Sequence, residues 1–318
     1  MKKVIVSVPG KVHLMGEHAV VYGKPALLAA INLRLTVSIE EQKDKGKKGV
    51  TIISDEPIDH AAYAVQYLFD ALKLKHPSPV VVTIRSAIPA GFHLGSSAAV
   101  AVGLTGAIMY YFTKLWNPIR INELAYEIEK KQHGTPSGGD NTTVAMGGFI
   151  WFRKELEFLK SIWQLPFRPH PSLDHFFLIN TGRPKETTGE MVALVRERVQ
   201  KQPEDMQKLF DLNELQVKRV TVAMKEGKEE ELIDALRIGE RTLEDVGVVS
   251  SIVIPLVQDI EAAGGAAKIL GGGGKAGGVG FLLCYHKAPN RIAALVKKYG
   301  YTIQPITLGE EGIRLEMR

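Results

Sequence analysis

The hydrophobic and polar positions of the first hundred residues follow two periods. Residues 4–8 form a short apolar run, and residues 33–42 alternate with the period of two that is typical of half-buried strands. Residues 51–54 and the β-branched run at 80–84 are also typical of strands. Between them, residues 61–74 place apolar side chains at helical spacing. The pattern predicts four strands, with a helix before the last.

Two helices and another strand are predicted in the middle of the chain. A run of small residues from Ser96 predicts a helix that stops near Asn117-Pro118. Residues 122–132 are amphipathic, with Asn122 as the predicted N-cap and Gly134 as the end of the helix. Residues 144–152, VAMGGFIWF, are predicted to form a strand.

Residues 166–173 mark a predicted domain boundary, because they hold three prolines and show no periodicity. Beyond them, strands alternate with helices up to a last strand at 301–306, which is typical of a mixed α+β domain. A chain of 318 residues is long enough for two domains. We therefore predict an α+β protein with domains at 1–168 and 169–318.

Composition narrows the class of protein and its partners. The 45% hydrophobic and 24% charged content is typical of a soluble globular protein, and a net charge of +5 suits anionic small molecules. The basic run at 43–48 is predicted to be a solvated hairpin turn, and no nucleic-acid motif accompanies it. The single cysteine, Cys284, excludes a disulfide framework and predicts a buried thiol in a reducing, cytoplasmic setting. The absence of a signal peptide and of a long apolar run predicts no membrane partner.

The stretch IPAGFHLGSSAAVAVG, residues 88–103, is the main candidate for binding chemistry. Gly91 and Gly95 let backbone amides approach a ligand. Ser96 and Ser97 are predicted as N-cap or first-turn hydroxyls of the following helix, whose dipole favours a negative charge. Two interpretations stay open on these residues alone: a phosphate site, or an ordinary strand-to-helix connection.

Two polar groups stand in unusual surroundings. Lys11, His13, Glu17 and His18 interrupt apolar residues, which predicts a strand with one face turned into a cleft; the alternative is a half-buried strand with an exposed polar face. Asp140 follows the turn-forming run Thr-Pro-Ser-Gly-Gly, so it either caps a helix or presents a carboxylate to a pocket.

Several common sites are excluded by their spacing. The loop GGGGKAGG at 271–278 matches G-x-G-x-x-G but precedes a strand rather than a helix, and Lys275 is followed by alanine rather than the serine or threonine of a phosphate-binding P-loop. One cysteine and no HExxH leave no zinc pattern, and G-x-S-x-G is missing. ATP-dependent phosphoryl transfer fits what remains, with Ser97 and Glu129 as hard oxygen ligands for Mg²⁺ and with Asp140 and Lys11 to activate a hydroxyl.

Four blocks of sequence resemble one kinase family, in the family's own order. PGKVHLMGEHAVVYGKPAL resembles the amino-terminal signature of mevalonate kinases, within the galactokinase–homoserine kinase–mevalonate kinase–phosphomevalonate kinase superfamily. IPAGFHLGSSAA resembles the family's phosphate loop, HGTPSGGDNT its catalytic aspartate segment and KILGGGGKAGGVGFLL its third motif. A galactokinase would have EHTDY where this chain has EHAVV.

The resemblance implies a fold, a reaction and a set of roles. The fold would be a ribosomal protein S5 domain 2-like amino-terminal domain with a left-handed βαβ unit, followed by a ferredoxin-like domain. The reaction would be ATP-dependent phosphorylation of mevalonate in isoprenoid biosynthesis, with Mg²⁺ as cofactor. The catalytic residues would be Asp140 and Lys11, the metal ligands Ser97 and Glu129, and the mevalonate contacts Glu17, His18 and Thr187. The ATP contacts would be Pro89, Ala90, Gly91, Phe92, His93, Leu94, Gly95, Ser96, Ser97 and Gly273. A homodimer is left open.

The chain departs from the family pattern on the nucleotide side. Phe92-His93 replaces the small-residue–glycine pair of the second motif, and Lys275 interrupts the glycines of the third. Beside a triphosphate, the imidazolium of His93 would be favoured and the pKa of the ring raised; the alternatives are a ring in solvent or packed on Phe92. For Lys275, a phosphate contact and a solvated loop lysine both stay open.

Two rival functions are compatible with the same blocks. One is a superfamily kinase for another acceptor, such as phosphomevalonate, a sugar or homoserine, against which the segment EHAVVYG argues. The other is a metabolite sensor without catalysis, which would have no need of Lys11, Glu129 and Asp140.

Overall fold

The computed structural model of the chain describes residues 3–42, 49–55, 58–74, 79–133, 136–156 and 158–316. The strands are β1 (Lys3–Met15), β2 (Pro25–Glu41), β3 (Val50–Ser54), β4 (Val80–Ser86), β5 (Phe149–Lys154), β6 (Lys160–Leu165), β7 (Phe176–Asn180), β8 (Ala266–Ile269), β9 (Phe281–Tyr285), β10 (Thr302–Ile306) and β11 (Arg314–Leu315). The helices are α1 (Asp59–Ala71), α2 (Ser96–Thr113), α3 (Pro118–His133), α4 (Gly139–Met146), α5 (Thr188–Lys201), α6 (Pro203–Glu226), α7 (Glu229–Val246), α8 (Ile254–Ala262) and α9 (Pro289–Lys298). Short 3₁₀ helices cover Ala19–Tyr22 and Pro171–Leu173.

The first sheet has seven strands in the order β11-β1-β2-β4-β3, with β5 and β6 attached beside β2. β2 is long enough to pair with β1, with β4 through residues 35–41 and with β5 through residues 25–29. β3 and β4 are parallel and joined through α1, which makes a βαβ unit. The basic run at 43–48 lies outside the described residues. The hairpin predicted there is wrong, because β4 lies between β2 and β3.

The second sheet has four antiparallel strands in the order β10-β7-β9-β8. Helices α5 to α8 connect β7 to β8, and α9 connects β9 to β10. This order is that of a ferredoxin-like fold, so the predicted two-part α+β class is confirmed. After β10 the chain returns to the first sheet, where β11 pairs with β1. The division at residues 168 and 169 stays a prediction.

Helix α2 is the apolar centre of the first half of the chain. It is long and apolar enough to cross a membrane by length and composition, but 61% of it is buried inside the fold, as in a core helix. Gly103 and Gly106 allow the close packing, because a Cβ at these positions would lie 2.9 Å from Val37 Cγ2 and 2.4 Å from Ile313 Cδ1. In the second half, Cys284 is buried in β9 as predicted, and burial raises the pKa of its thiol.

Two predicted boundaries near the candidate site are wrong. Helix α3 begins at Pro118 rather than Asn122, and the side chain of Asn117 accepts hydrogen bonds from the amides of Ile119 and Arg120 as its N-cap. Asn122 lies inside the helix, and its predicted end at Gly134 lies outside the described residues. Residues 144–146 belong to α4 rather than to a strand, because the Gly147-Gly148 pair, and not the turn before it, separates helix from strand.

Candidate active site

A cleft of about 830 Å³ is lined by residues from both halves of the chain. Most of the predicted site residues line it: Lys11, Glu17, His18, Pro89, Gly91, His93, Leu94, Gly95, Ser96, Ser97, Glu129, Asp140 and Thr187. The structure therefore brings the four sequence blocks together at one place, although they span most of the chain.

Three residues predicted to contact ATP lie outside the lining of this cleft. Ala90 is exposed. The partly buried ring of Phe92 packs on Phe281 of β9, with centroids 5.3 Å apart. A Cβ at Gly273 would lie 2.1 Å from the carbonyl oxygen of Val248, so this glycine permits a close backbone approach. Gly271 and Gly272 line the cleft instead.

The position of Lys11 is set by β1 and by the glycine loop beside it. The backbone amide of Lys11 donates to Leu94 O at 2.9 Å, which joins the strand to the loop. Gly95 has φ +79°, and a Cβ there would lie 2.8 Å from Lys11 Cγ, so only glycine lets the lysine stem pass. The strand predicted through Lys11 and His13 is confirmed, and its polar face does turn into a cleft.

Lys11 and Asp140 form an ion pair in the cleft. Lys11 Nζ lies 2.9 Å from Asp140 Oδ2, with the lysine side chain 3% exposed and the aspartate 42%. Asp140 lies in the first turn of α4, and His13 Nε2 lies 3.6 Å from its other oxygen. The carboxylate therefore faces the cleft, beside two basic side chains from the same strand.

The electrostatics of Asp140 favour a permanent negative charge. Burial disfavours the carboxylate, but Lys11 and His13 outweigh this effect and hold the pKa of Asp140 well below its ordinary value. A carboxylate that binds its proton so weakly is a poor general base at neutral pH. The pair is therefore suited to orienting a hydroxyl and balancing developing charge, and Asp140 can accept the proton only after the hydroxyl oxygen has become more acidic.

The predicted metal ligands meet at the N-terminus of α2. Gly95 is the N-cap, with φ +79°, and Ser96 and Ser97 lie in the first turn of the helix, which is the second of the two positions predicted for them; no described side chain caps the helix. Ser97 Oγ donates to Glu129 Oε1 at 2.6 Å. Two hard oxygen donors on the cleft wall fit a Mg²⁺ ion, and the glycine loop with its helix N-terminus fits a phosphate.

The residues predicted to bind mevalonate have partners inside the protein. Glu17 pairs with Lys268, and both side chains are buried. His18 Nε2 contacts the carbonyl oxygen of Gly272 at 3.0 Å, and burial lowers the pKa of His18. Thr187 is the N-cap of α5, where its hydroxyl and backbone amide bond with Glu190 in a capping box. The observed partners of all three residues are protein groups that hold the cleft wall in place. Their contacts with mevalonate therefore stay predictions.

His93 ties the glycine loop to the second half of the chain. It has φ 62°, its Nδ1 lies 3.4 Å from Thr188 Oγ1, and its Cβ would be 2.6 Å from a Cβ at Gly271. Burial, with Lys11 nearby, lowers the pKa of His93 to about 4. The side chain is half-buried beside Thr188 and Gly271, and at neutral pH the ring carries no charge before a ligand binds.

Several residues that support the site carried no predicted role. His13 had a signal, since two positions after Lys11 in a strand places it on the same face. His60 and Lys268 had none, because their partners Glu129 and Glu17 are far away in the sequence. No sequence pattern indicates a role for Glu186 either. Its carboxylate accepts from the amides of residues 275 and 276 at 3.2 and 3.0 Å, while the Lys275 side chain is exposed, as in a solvated loop.

Two family models match the first half of the chain, and curated relatives match nearly all of it. Residues 59–148 match the GHMP kinases N terminal domain, and residues 1–41 match the galactokinase galactose-binding signature. The chain is 32% identical to the mevalonate kinase of Thermococcus sibiricus, over 99% of this chain and 98% of that protein. It is 33% identical to the mevalonate kinase of Pyrococcus furiosus, again over 99% and 98%.

A solved structure shows the same fold. The L. major mevalonate kinase in complex with R-mevalonate superposes with a TM-score of 0.82 and covers 96% of both chains, at 23% sequence identity. At that identity the likeness establishes the arrangement of strands and helices.

Proposed function

This chain belongs to the mevalonate kinase family of the GHMP kinases, and we propose that it phosphorylates (R)-mevalonate on its 5-hydroxyl with ATP. The product would be 5-phosphomevalonate, in isoprenoid biosynthesis by the mevalonate pathway. The observation that carries the proposal is the Lys11–Asp140 pair, held at 2.9 Å in a cleft that a phosphate loop also lines.

Asp140 and Lys11 divide the work on the acceptor hydroxyl. Asp140 accepts the hydroxyl's hydrogen bond and orients its oxygen towards the phosphoryl group. Its low pKa means that the proton is transferred late, when the oxygen has already begun to bond with phosphorus. Lys11 balances the negative charge that develops, and its burial at 3% exposure strengthens that interaction.

The proposed ATP site is formed by the glycine loop and by the part of the cleft wall that holds Ser97 and Glu129. The amides of the loop and of the first turn of α2 would hold the phosphates, and Ser97 with Glu129 would hold Mg²⁺. When bound, Mg²⁺ neutralises charge on the transferring phosphates. We also propose a cytoplasmic enzyme with a small-molecule substrate and no nucleic-acid or membrane partner.

One rival acceptor has an observation in its favour. Residues 1–41 match a galactose-binding signature, and this segment contains Lys11, Glu17 and His18. Against it, the segment has EHAVV where a galactokinase would have EHTDY. An ADP-release assay over mevalonate, galactose, homoserine and phosphomevalonate separates these acceptors. We expect the highest kcat/KM with mevalonate; equal or greater turnover of another acceptor would overturn the proposal.

The effect of His93 on nucleotide binding should not depend on pH near neutrality. Burial lowers the pKa of His93 to about 4, so the ring is neutral near pH 6 before a triphosphate is bound, and the charge expected in the complex stays a prediction. We therefore expect His93→Ala to weaken binding of a non-hydrolysable ATP analogue by the same factor at about pH 6 and about pH 9. Titration calorimetry measures both affinities. A distinctly larger loss at the lower pH would show that the bound triphosphate charges the ring.

A further inference from the structure

A third side chain contacts the two proposed metal ligands, Ser97 and Glu129. His60, in the first turn of α1, places Nε2 3.2 Å from Glu129 Oε1 and 3.4 Å from Ser97 Oγ. Ser97 Oγ and Glu129 Oε1 are themselves 2.6 Å apart. Three helices, α1, α2 and α3, therefore deliver a nitrogen, a hydroxyl oxygen and a carboxylate oxygen to one point. No pattern in the sequence around His60 indicates this meeting.

The triangle of these three atoms has the size of one face of a metal site. An octahedral ion with ligands at about 2.0–2.1 Å separates neighbouring ligands by about 3 Å. The observed edges of 2.6, 3.2 and 3.4 Å bracket that separation. Ser97 and Glu129 line the cleft, whereas His60 lies outside the lining with 16% of its side chain exposed. An ion bound by all three would thus sit in the cleft wall.

We propose that His60 is a nitrogen ligand that makes this metal site favour imidazole-binding ions such as Co²⁺ over Mg²⁺. Mg²⁺ prefers oxygen ligands, whereas affinity for nitrogen rises along the first-row divalent metals. The described residues contain no group of three His, Cys, Asp or Glu that could hold a metal, and here the third ligand is a serine hydroxyl. His60 would bind the same ion as Ser97 and Glu129, so this inference rests on the metal site of the proposed function. It does not depend on which acceptor is used.

Direct metal binding, without nucleotide or acceptor, tests the proposal on the whole chain. Calorimetry gives Kd for Co²⁺ and for Mg²⁺, and the visible absorption of bound Co²⁺ reports its ligands. His60→Ala should raise the Co²⁺ Kd at least about tenfold, while the Mg²⁺ Kd changes by less than about threefold; even loss of a residue behind a metal ligand costs about 10–100-fold. The Co²⁺ absorption bands should shift as well.

Two further variants serve as the positive and the negative control. Glu129→Gln should weaken both ions, because it removes the shared carboxylate. His175→Ala should leave both Kd values unchanged, since His175 packs on Tyr285 outside the cleft lining. If His60→Ala lowers the thermal midpoint, His60→Gln keeps a polar side chain near Glu129 while removing the ring nitrogen, and the same selective loss is expected.

Two outcomes would overturn the inference. Equal weakening of Co²⁺ and Mg²⁺ by His60→Ala would make His60 a residue that orients Glu129 without binding metal. No change for either ion would place His60 outside the site. Neither outcome bears on the proposed reaction, which is judged by turnover of mevalonate with Mg²⁺. Conversely, a wild-type protein that binds Co²⁺ through His60 but leaves mevalonate unphosphorylated would remove the proposed function alone.

Discussion

Asp140→Asn should lower kcat with mevalonate by about 10²–10⁴-fold, the range typical of a lost proton-transfer group. The amide has nearly the same shape but cannot accept the hydroxyl proton, and it leaves the buried Lys11 ammonium without its counter-charge. Steady-state kinetics at saturating ATP and mevalonate measure the effect. The fold should survive, because Asp140 is 42% exposed and lies in the first turn of a helix.

The control for this variant is Asp174→Asn, which removes an exposed carboxylate outside the cleft lining and should keep kcat. The pH profile adds a second check. Since the pKa of Asp140 is lowered, its carboxylate is lost only as pH falls below its ordinary titration range, so it should add no acid limb to kcat between about pH 5 and 9. An Asp140→Asn protein with most of its kcat would reduce Asp140 to a structural ion-pair partner of the buried Lys11.

Lys268→Met should lower the free energy of unfolding by about 3–5 kcal/mol, because it leaves a buried charge without a partner. Lys268 in β8 is fully buried and pairs with Glu17, which follows β1. Its Nζ also donates to Ile269 O at 2.7 Å and to His13 O at 3.4 Å. The other oxygen of Glu17 has no hydrogen-bond partner among the described residues, so Lys268 is its main stabilising contact. Chemical denaturation measures the change.

The double variant Glu17→Gln/Lys268→Met decides what the pair contributes. With both charges gone, we expect the protein to regain much of the stability lost in Lys268→Met, because the desolvated charge is no longer there. Lys201→Met, which breaks an exposed pair with Glu197, should leave unfolding unchanged. A single Lys268→Met variant as stable as wild type would show that Glu17 reaches solvent or another cation.

The sequence predicted the parts of the site that depend on local pattern. Lys11 and His13 alternate along one strand, Asp140 follows a glycine turn, and Ser97 opens a helix after a glycine loop. In each case the backbone conformation follows from residues only a few positions away. The resemblance to a kinase family then supplied the roles of these residues. For Asp140, the local pattern alone left open whether it is a helix cap or a catalytic group.

The rest of the site depends on contacts between distant segments. Glu17 and Lys268 are separated by 251 positions, and nothing near either residue indicates that the other neutralises it. His60 reaches Glu129 because α1, α2 and α3 pack together. Asn122 looked like a helix cap but lies inside α3, where its side chain oxygen accepts from the Asn141 amide at 2.6 Å. Burial also set the pKa of His93, which no sequence pattern reports.

The most direct test of the proposed reaction is identification of its product. Purified protein, ATP, Mg²⁺ and (R)-mevalonate are incubated, and the products are analysed by phosphorus NMR and mass spectrometry. We expect one new phosphomonoester, coupled to the methylene protons at carbon 5, in equal amount to the ADP released and absent with Asp140→Asn. A parallel reaction contains galactose in place of mevalonate. If mevalonate stays unmodified while galactose is converted to its phosphate, the proposed reaction is contradicted.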